Sequence, residues 1–182
     1  MSKSLVCDKD YIENLRGQFI LLDNTYLIDL SKDDDDELLN FLNLLKQNDC
    51  VITTIMDVFQ EFVRGSKTTT QYDQCLKLFR DIIGNKLVSE TKSKESSAFV
   101  VAYNNLAKHA SLTDTKLAMC LYKNKERNDI KLLTANYEDM PKGLLKRESI
   151  IAYDTGNIIR THGFYALQPP EILDKTLSKF DN

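Results

Sequence analysis

Five acidic residues stand just after apolar runs or at the start of or within helix-like stretches. Asp23 follows Phe19-Ile20-Leu21-Leu22, and Glu61 lies in the stretch Met56 to Arg64. Asp114 opens the run Leu117-Ala118-Met119-Cys120-Leu121, and Glu138 and Asp139 stand just past Leu132-Leu133-Thr134-Ala135-Asn136. An acid placed directly after a buried apolar strand is costly unless it is ionised beside a partner such as a metal. The plain alternatives are a turn or helix cap for Asp23, an ordinary surface acid for Glu61 and an N-terminal helix acid for Asp114. Taken together the acids suit hard divalent cations, which take oxygen ligands and, for magnesium, keep several waters. A cation so held activates water and offsets charge developing on a phosphate.

Chemistry at these positions needs elements that bring them to one place. Short apolar runs alternate with longer stretches of helical period, which predicts an α/β fold with a mostly parallel sheet. The strands expected are Phe19 to Leu22, Cys50 to Thr54, Lys86 to Ser89, Ile130 to Thr134 and Ile150 to Tyr153. Helices are expected over Glu37 to Gln47, Met56 to Arg64, Gln71 to Ile83, Ser97 to His109, Asp114 to Lys123 and Leu173 to Phe180. Gly65 and Gly84 close two of them. The acids at 33–37 favour the start of the first of these helices through its dipole. Open parallel sheets bind ligands outside the carboxyl ends of their strands, where the candidate acids fall.

Composition limits the choices. The chain has 182 residues, 42% of them hydrophobic, a length for one domain with a real core. Lys and Arg number 24 against 27 Asp and Glu, so bulk charge does not hold it to nucleic acid. A local basic rim is still compatible with that balance. The four cysteines, Cys7, Cys50, Cys75 and Cys120, show no CxxC spacing, and reduced thiols are expected. No apolar leader or membrane-spanning run is read, so a cytoplasmic protein is expected. A haloacid-dehalogenase-type phosphatase needs an acid where Thr25 stands, and a receiver domain needs a lysine where Asp154 follows Tyr153. Neither GxGxxG nor a Walker A motif is present. With only His109 and His162, Ser-His-Asp chemistry is unpersuasive.

The motifs carry a resemblance. Phe19-Ile20-Leu21-Leu22-Asp23-Asn24-Thr25-Tyr26 resembles the opening strand of PIN-domain nucleases. Glu61-Phe62-Val63-Arg64-Gly65 is similar to their second acid, and Asp114-Thr115-Lys116-Leu117-Ala118 to their third, at a helix start. The segment Leu132 to Met140 resembles their fourth strand, with Thr134 before the last polar position, which here is Asn136. The resemblance runs from about Gln18 to Leu173.

It implies a three-layer α/β/α sandwich on a parallel sheet of order 3-2-1-4-5, with Asp23 and Thr134 side by side. Residues 1–17 would be an extension, 18–174 the domain and 175–182 a tail, with extra length around 66–70 and 155–166. The implied activity is a Mg²⁺- or Mn²⁺-dependent endoribonuclease. Asp23, Glu61 and Asp114 would hold the metal, and Asn136 or Asp139 would complete the catalytic set. Thr25, Thr134, Arg64 and Lys67 would meet substrate, and Lys92, Lys94 and Arg160 are further cations for RNA, with Tyr26 and Tyr137 for stacking. Implied partners are RNA, an antitoxin protein of the kind that toxin members carry, and a second copy in a homodimer. The other expectation is a PIN-like module, weak or inactive in catalysis, that binds RNA or protein.

Overall fold

The computed structural model describes residues 5–32, 36–88, 97–154 and 158–180. Lys92, Lys94, the acids at 33–35 and the end of the strand expected over Lys86 to Ser89 lie outside them. The chain begins β1 (Leu5–Cys7), α1 (Lys9–Asn14), β2 (Phe19–Leu22), α2 (Asn24–Leu30), α3 (Glu37–Gln47) and β3 (Val51–Thr53). The helices α4 (Met56–Arg64), α5 (Thr69–Ile83), α6 (Ser97–Leu106) and α7 (Leu112–Lys123) follow. It ends with β4 (Ile130–Thr134), β5 (Leu145–Asp154), β6 (Ile159–Leu167) and α8 (Pro170–Leu177).

The parallel sandwich of order 3-2-1-4-5 does not form. One mixed sheet runs β1-β5-β6-β4-β2-β3. Its centre is parallel: β2 pairs with β3 on one side and β4 on the other. Beyond β4 every pairing is antiparallel, β4 with β6, β6 with β5 and β5 with β1. The difference lies in β6. Strand β5 runs in the same direction as β4, reached through residues 135–144, but the chain then turns back as a β5–β6 hairpin, and β6 takes the place beside β4 that the expected fifth parallel strand would fill. The strand expected near Lys86 contributes a single parallel bridge between Thr54 and Leu87. The 155–166 stretch, expected as extra length, supplies most of β6, which sits between β4 and β5. The segment read as an N-terminal extension contributes β1 and α1, with Ile12 and Leu15 buried.

The sheet is strongly curled. Helix α3 packs against β3 at one edge and β1 at the other. In a flat sheet those edges would lie roughly 24 Å apart, from a spacing of about 4.8 Å between strands. A helix is only about 10 Å across. Both edges reach α3 because the strands wrap around it, with Phe164 of β6 against Phe41 of α3 and Tyr11 of α1. Helix α7 packs on β4 and β6, and α4 rests on α2 and α5.

Gly163 of β6 pairs with Thr134 of β4. A Cβ here would lie 2.7 Å from Tyr165 Cε2, 3.2 Å from Arg147 Cδ and 3.3 Å from Tyr137 Cε1. The bare backbone makes room for the Tyr137 ring, over which the Arg147 guanidinium lies at 5.7 Å. Gly163→Ala should therefore cost about 1–3 kcal/mol, the usual penalty of overpacking. Urea unfolding measures it, and an unchanged midpoint would show that the rings move aside freely.

Candidate functional site

Burial on both faces makes β2 a short apolar strand, and its polar sequel Asp23 turns the chain into α2. Asp23 is the N-cap of that helix, in extended conformation, and its carboxylate accepts the Asn24 N–H at 2.6 Å. The Thr25 hydroxyl donates to the same carboxylate at 2.8 Å, and Thr134 Oγ1, from the end of β4, donates to it at 2.7 Å. The parallel pairing of β2 and β4 places Leu22 opposite Leu133, so the next residues, Asp23 and Thr134, meet at the strand ends. Both hydroxyls also accept from the backbone, Thr25 from Ala135 N–H at 3.1 Å and Thr134 from Asn136 N–H at 2.9 Å. The two threonines thus anchor the loop leaving β4 to Asp23.

Asp114 enters from α7. Ser111 caps this helix, and Asp114 is its partner in a capping box. One carboxylate oxygen accepts the Ser111 N–H at 2.8 Å and its Oγ at 2.7 Å; the other accepts Asn136 Nδ2 at 3.2 Å. Asn136 therefore joins the β4 loop to α7. Glu61, from α4, accepts the hydroxyl of Thr113, which precedes Asp114. Asp23, Glu61, Asp114, Thr25, Thr134 and Asn136 form one connected group at the carboxyl ends of β2 and β4. Among the described residues, no group of three or more His, Cys, Asp or Glu side chains is placed to hold a metal.

Asp23 is 4% exposed and Asp114 7% exposed, and among the described residues neither has a cationic partner. Burial is the largest influence on Asp23 and raises its pKa. The hydrogen bonds from Thr134, Thr25 and Asn24 work against that rise, and the Asp114 charge adds to it. Desolvation outweighs the mutual repulsion of the acids. The Tyr103 phenol, pushed well above its ordinary range by burial and then by Asp114, Asp139 and Asp23, lies in the same negative field.

The raised pKa has a definite consequence for stability. The folded chain holds the Asp23 proton to higher pH than the unfolded chain does. Stability therefore falls as pH rises from the ordinary aspartate range through the raised folded value. Urea unfolding of metal-free protein should show this decline, and Asp23→Asn should flatten it. An identical pH slope in the variant would rule out Asp23 as its source.

The remaining sequence-derived candidates divide. Asp139 accepts the His109 backbone N–H at 2.6 Å, and its carbonyl accepts the Tyr103 hydroxyl at 2.6 Å, so it fastens the β4–β5 loop to the α6–α7 loop. Arg64 and Lys67 are exposed beyond Glu61. Tyr26 is fully buried, donates to the Leu38 carbonyl at 3.0 Å and has no face for stacking. Tyr137 is half-buried and donates to the Thr161 hydroxyl. Arg160 is paired with the buried Asp29, whose other oxygen lies 3.2 Å from Nε2 of the fully buried His162. That pairing belongs to the fold rather than to RNA. Sequence reading passed over Ser111 and Thr113, although Ser111-Leu112-Thr113-Asp114 spells a capping box.

No family model, curated protein or solved structure matches this chain. No helix among the described residues is long and apolar enough to cross a membrane.

Proposed function

We propose that this protein is a divalent-metal-dependent endoribonuclease, the activity its resemblance to PIN-domain nucleases implies. One observation carries this. Asp23 and Asp114 are buried acids without a cationic partner among the described residues, linked through Thr134 and Asn136 at the ends of two parallel strands. Asp29, equally buried, has Arg160. An uncompensated buried carboxylate is costly, and a bound cation is an ordinary remedy.

The donor set fits Mg²⁺ or Mn²⁺. It consists of carboxylate oxygens with neutral amide and hydroxyl oxygens beside them, and magnesium is commonly held by one or two carboxylates with waters. Asn24 Oδ1, next to Asp23, is a buried amide oxygen with no hydrogen-bond donor among the described residues. Asp23 and Asp114 would hold the cation, with Asn136 beside them and Glu61 one step out through Thr113. When bound, the cation supplies Lewis acidity toward water and phosphate. The protein's own part is to fix the acids: Thr25 and Thr134 orient Asp23, and Ser111 and Asn136 orient Asp114.

Purified protein should cut single-stranded RNA with Mn²⁺ and stop with EDTA; undiminished cutting in EDTA would refute this function. A toxin role adds an antitoxin protein and a homodimer, tested by growth arrest on expression with and without the neighbouring reading frame.

A second reading has its own observation. Both Asp114 oxygens are already engaged inside the protein, as is one of Glu61. That favours a binding module that uses the same fold without cleavage. Calorimetry showing no Mn²⁺ binding at millimolar metal would favour it.

A further inference from the structure

A cavity of about 790 Å³ opens between the end of α2, α4 and α5. It is separate from the carboxylate group but touches it at one residue, since Glu61 lines the cavity and also accepts the Thr113 hydroxyl. Its size falls in the range of sites that enclose a small organic ligand. Its apolar lining includes Ile28, Phe62 and Leu78. The lining also includes Gln71 and Gln74, with side-chain amides, and Lys32 and Lys67, with ammonium groups. The Gln71 carbonyl oxygen is engaged by the Lys67 backbone N–H at 2.8 Å, which leaves its NH₂ donors for a ligand. Neither Lys32 nor Lys67 has an acidic partner among the described residues, in a chain whose net charge is −3.

Apolar side chains, amide groups and two lysines without an acidic partner among the described residues make a specific chemical demand. A flat heteroaromatic ring lies against the apolar side chains and meets the amides with its polar edge, as unstacked bases do in proteins that read single strands. An anionic group meets the lysines as phosphates do. A carboxylate such as Glu61 accepts hydrogen bonds from the hydroxyls of a sugar.

We infer that this cavity binds a nucleoside monophosphate unit, its base against Phe62 and its phosphate toward Lys32 and Lys67. The unit is either a free nucleotide or one residue of an RNA strand. In the second case the inference deepens the endoribonuclease proposal by giving the strand a seat beside Glu61. In the first it stands without that proposal.

The test is an NMR amide titration of the whole chain in EDTA, with each of the four ribonucleoside 5′-monophosphates, with inorganic phosphate and with a short single-stranded oligoribonucleotide. Nucleotides should shift amides of residues 65–78 in a saturable way, and phosphate alone should bind more weakly. Lys67→Glu, at an exposed position, should weaken the nucleotide by about tenfold, the effect of one lost charge contact. Gln74→Trp, which fills the opening without touching the core, should abolish binding. Tighter oligoribonucleotide than mononucleotide binding, lost in the same variants, assigns the unit to RNA; the reverse order assigns it to a free nucleotide. Three results would overturn the inference: no shifts with any nucleotide, equal affinity for phosphate alone, or binding that survives both substitutions. Because metal is absent throughout, each of these leaves the Mn²⁺-dependent cleavage test standing.

Discussion

Asp23→Asn and Asp114→Asn are each expected to reduce Mn²⁺-dependent RNA cleavage by roughly 10²-fold or more, the loss seen when a single charge-stabilising group leaves an active site. Both should stay folded, and the melting temperatures separate site from scaffold. A cation that binds only the assembled acids stabilises by mass action, about 2.7 kcal/mol at 100 times its Kd. For a chain of this length that is a rise of roughly 5–10 °C, and both variants should lose it.

Their metal-free stabilities should differ. Asp23 is desolvated and has no counter-charge among the described residues, so Asn at this position, whose one oxygen still accepts the Asn24 N–H while its NH₂ faces the threonine hydroxyls, which can accept it, leaves the fold as stable as before or more so. Asp114 also serves the capping box of α7, so its substitution costs about 1 kcal/mol as well. A parent melting temperature indifferent to Mn²⁺ would mean that the acids serve only as caps and hydrogen-bond acceptors.

Glu148→Ala should be the most damaging substitution distant from the site. Lys131 points from the central strand β4 with its side chain 5% exposed, and its ammonium lies 3.0 Å from Glu148 of β5. The Tyr11 hydroxyl donates to the same carboxylate at 3.0 Å, and burial, with Glu148 beside it, keeps that phenol protonated far above its ordinary range. Removing Glu148 strands a buried ammonium, a loss of about 3 kcal/mol. The melting temperature should fall by roughly 10 °C. Lys131→Met is the control. It replaces a buried charge with an apolar chain of similar length, and Glu148, partly exposed, keeps Tyr11 and water. A calorimetric scan in which Lys131→Met is as damaging as Glu148→Ala would show that the stem of Lys131, not the pairing of charges, is what matters.

Much of the local structure was legible from the residues alone. Continuous apolarity identified β2, the 3.6-residue period identified α3, Gly65 marked the end of α4, the acid after the first apolar strand pointed to Asp23, the acid at a helix start pointed to Asp114, and the resemblance at the end of β4 pointed to Asn136. These are properties of short windows, where side-chain periodicity and capping chemistry act directly on the backbone. The sheet beyond β4 was not legible in that way. Ile159–Leu167 includes Arg160, His162 and Gly163, which break the apolar pattern of a buried strand. They fit because the curled sheet supplies Asp29 to the arginine and histidine, and the Tyr137 and Tyr165 rings over the glycine. Lys131 inside a buried strand is the same case, acceptable only because β5 brings Glu148 to it.

The sequence by itself determined which residues carry charge at strand ends and helix starts, because those choices are fixed within a few residues of chain. The tertiary structure alone decided which charges meet. It gave Asp29 an arginine and Lys131 a glutamate, and it left Asp23 and Asp114 buried with only neutral partners among the described residues. Electrostatic compensation depends on distance in space, and in this chain that distance is set by a hairpin and a curl that no local window of residues encodes.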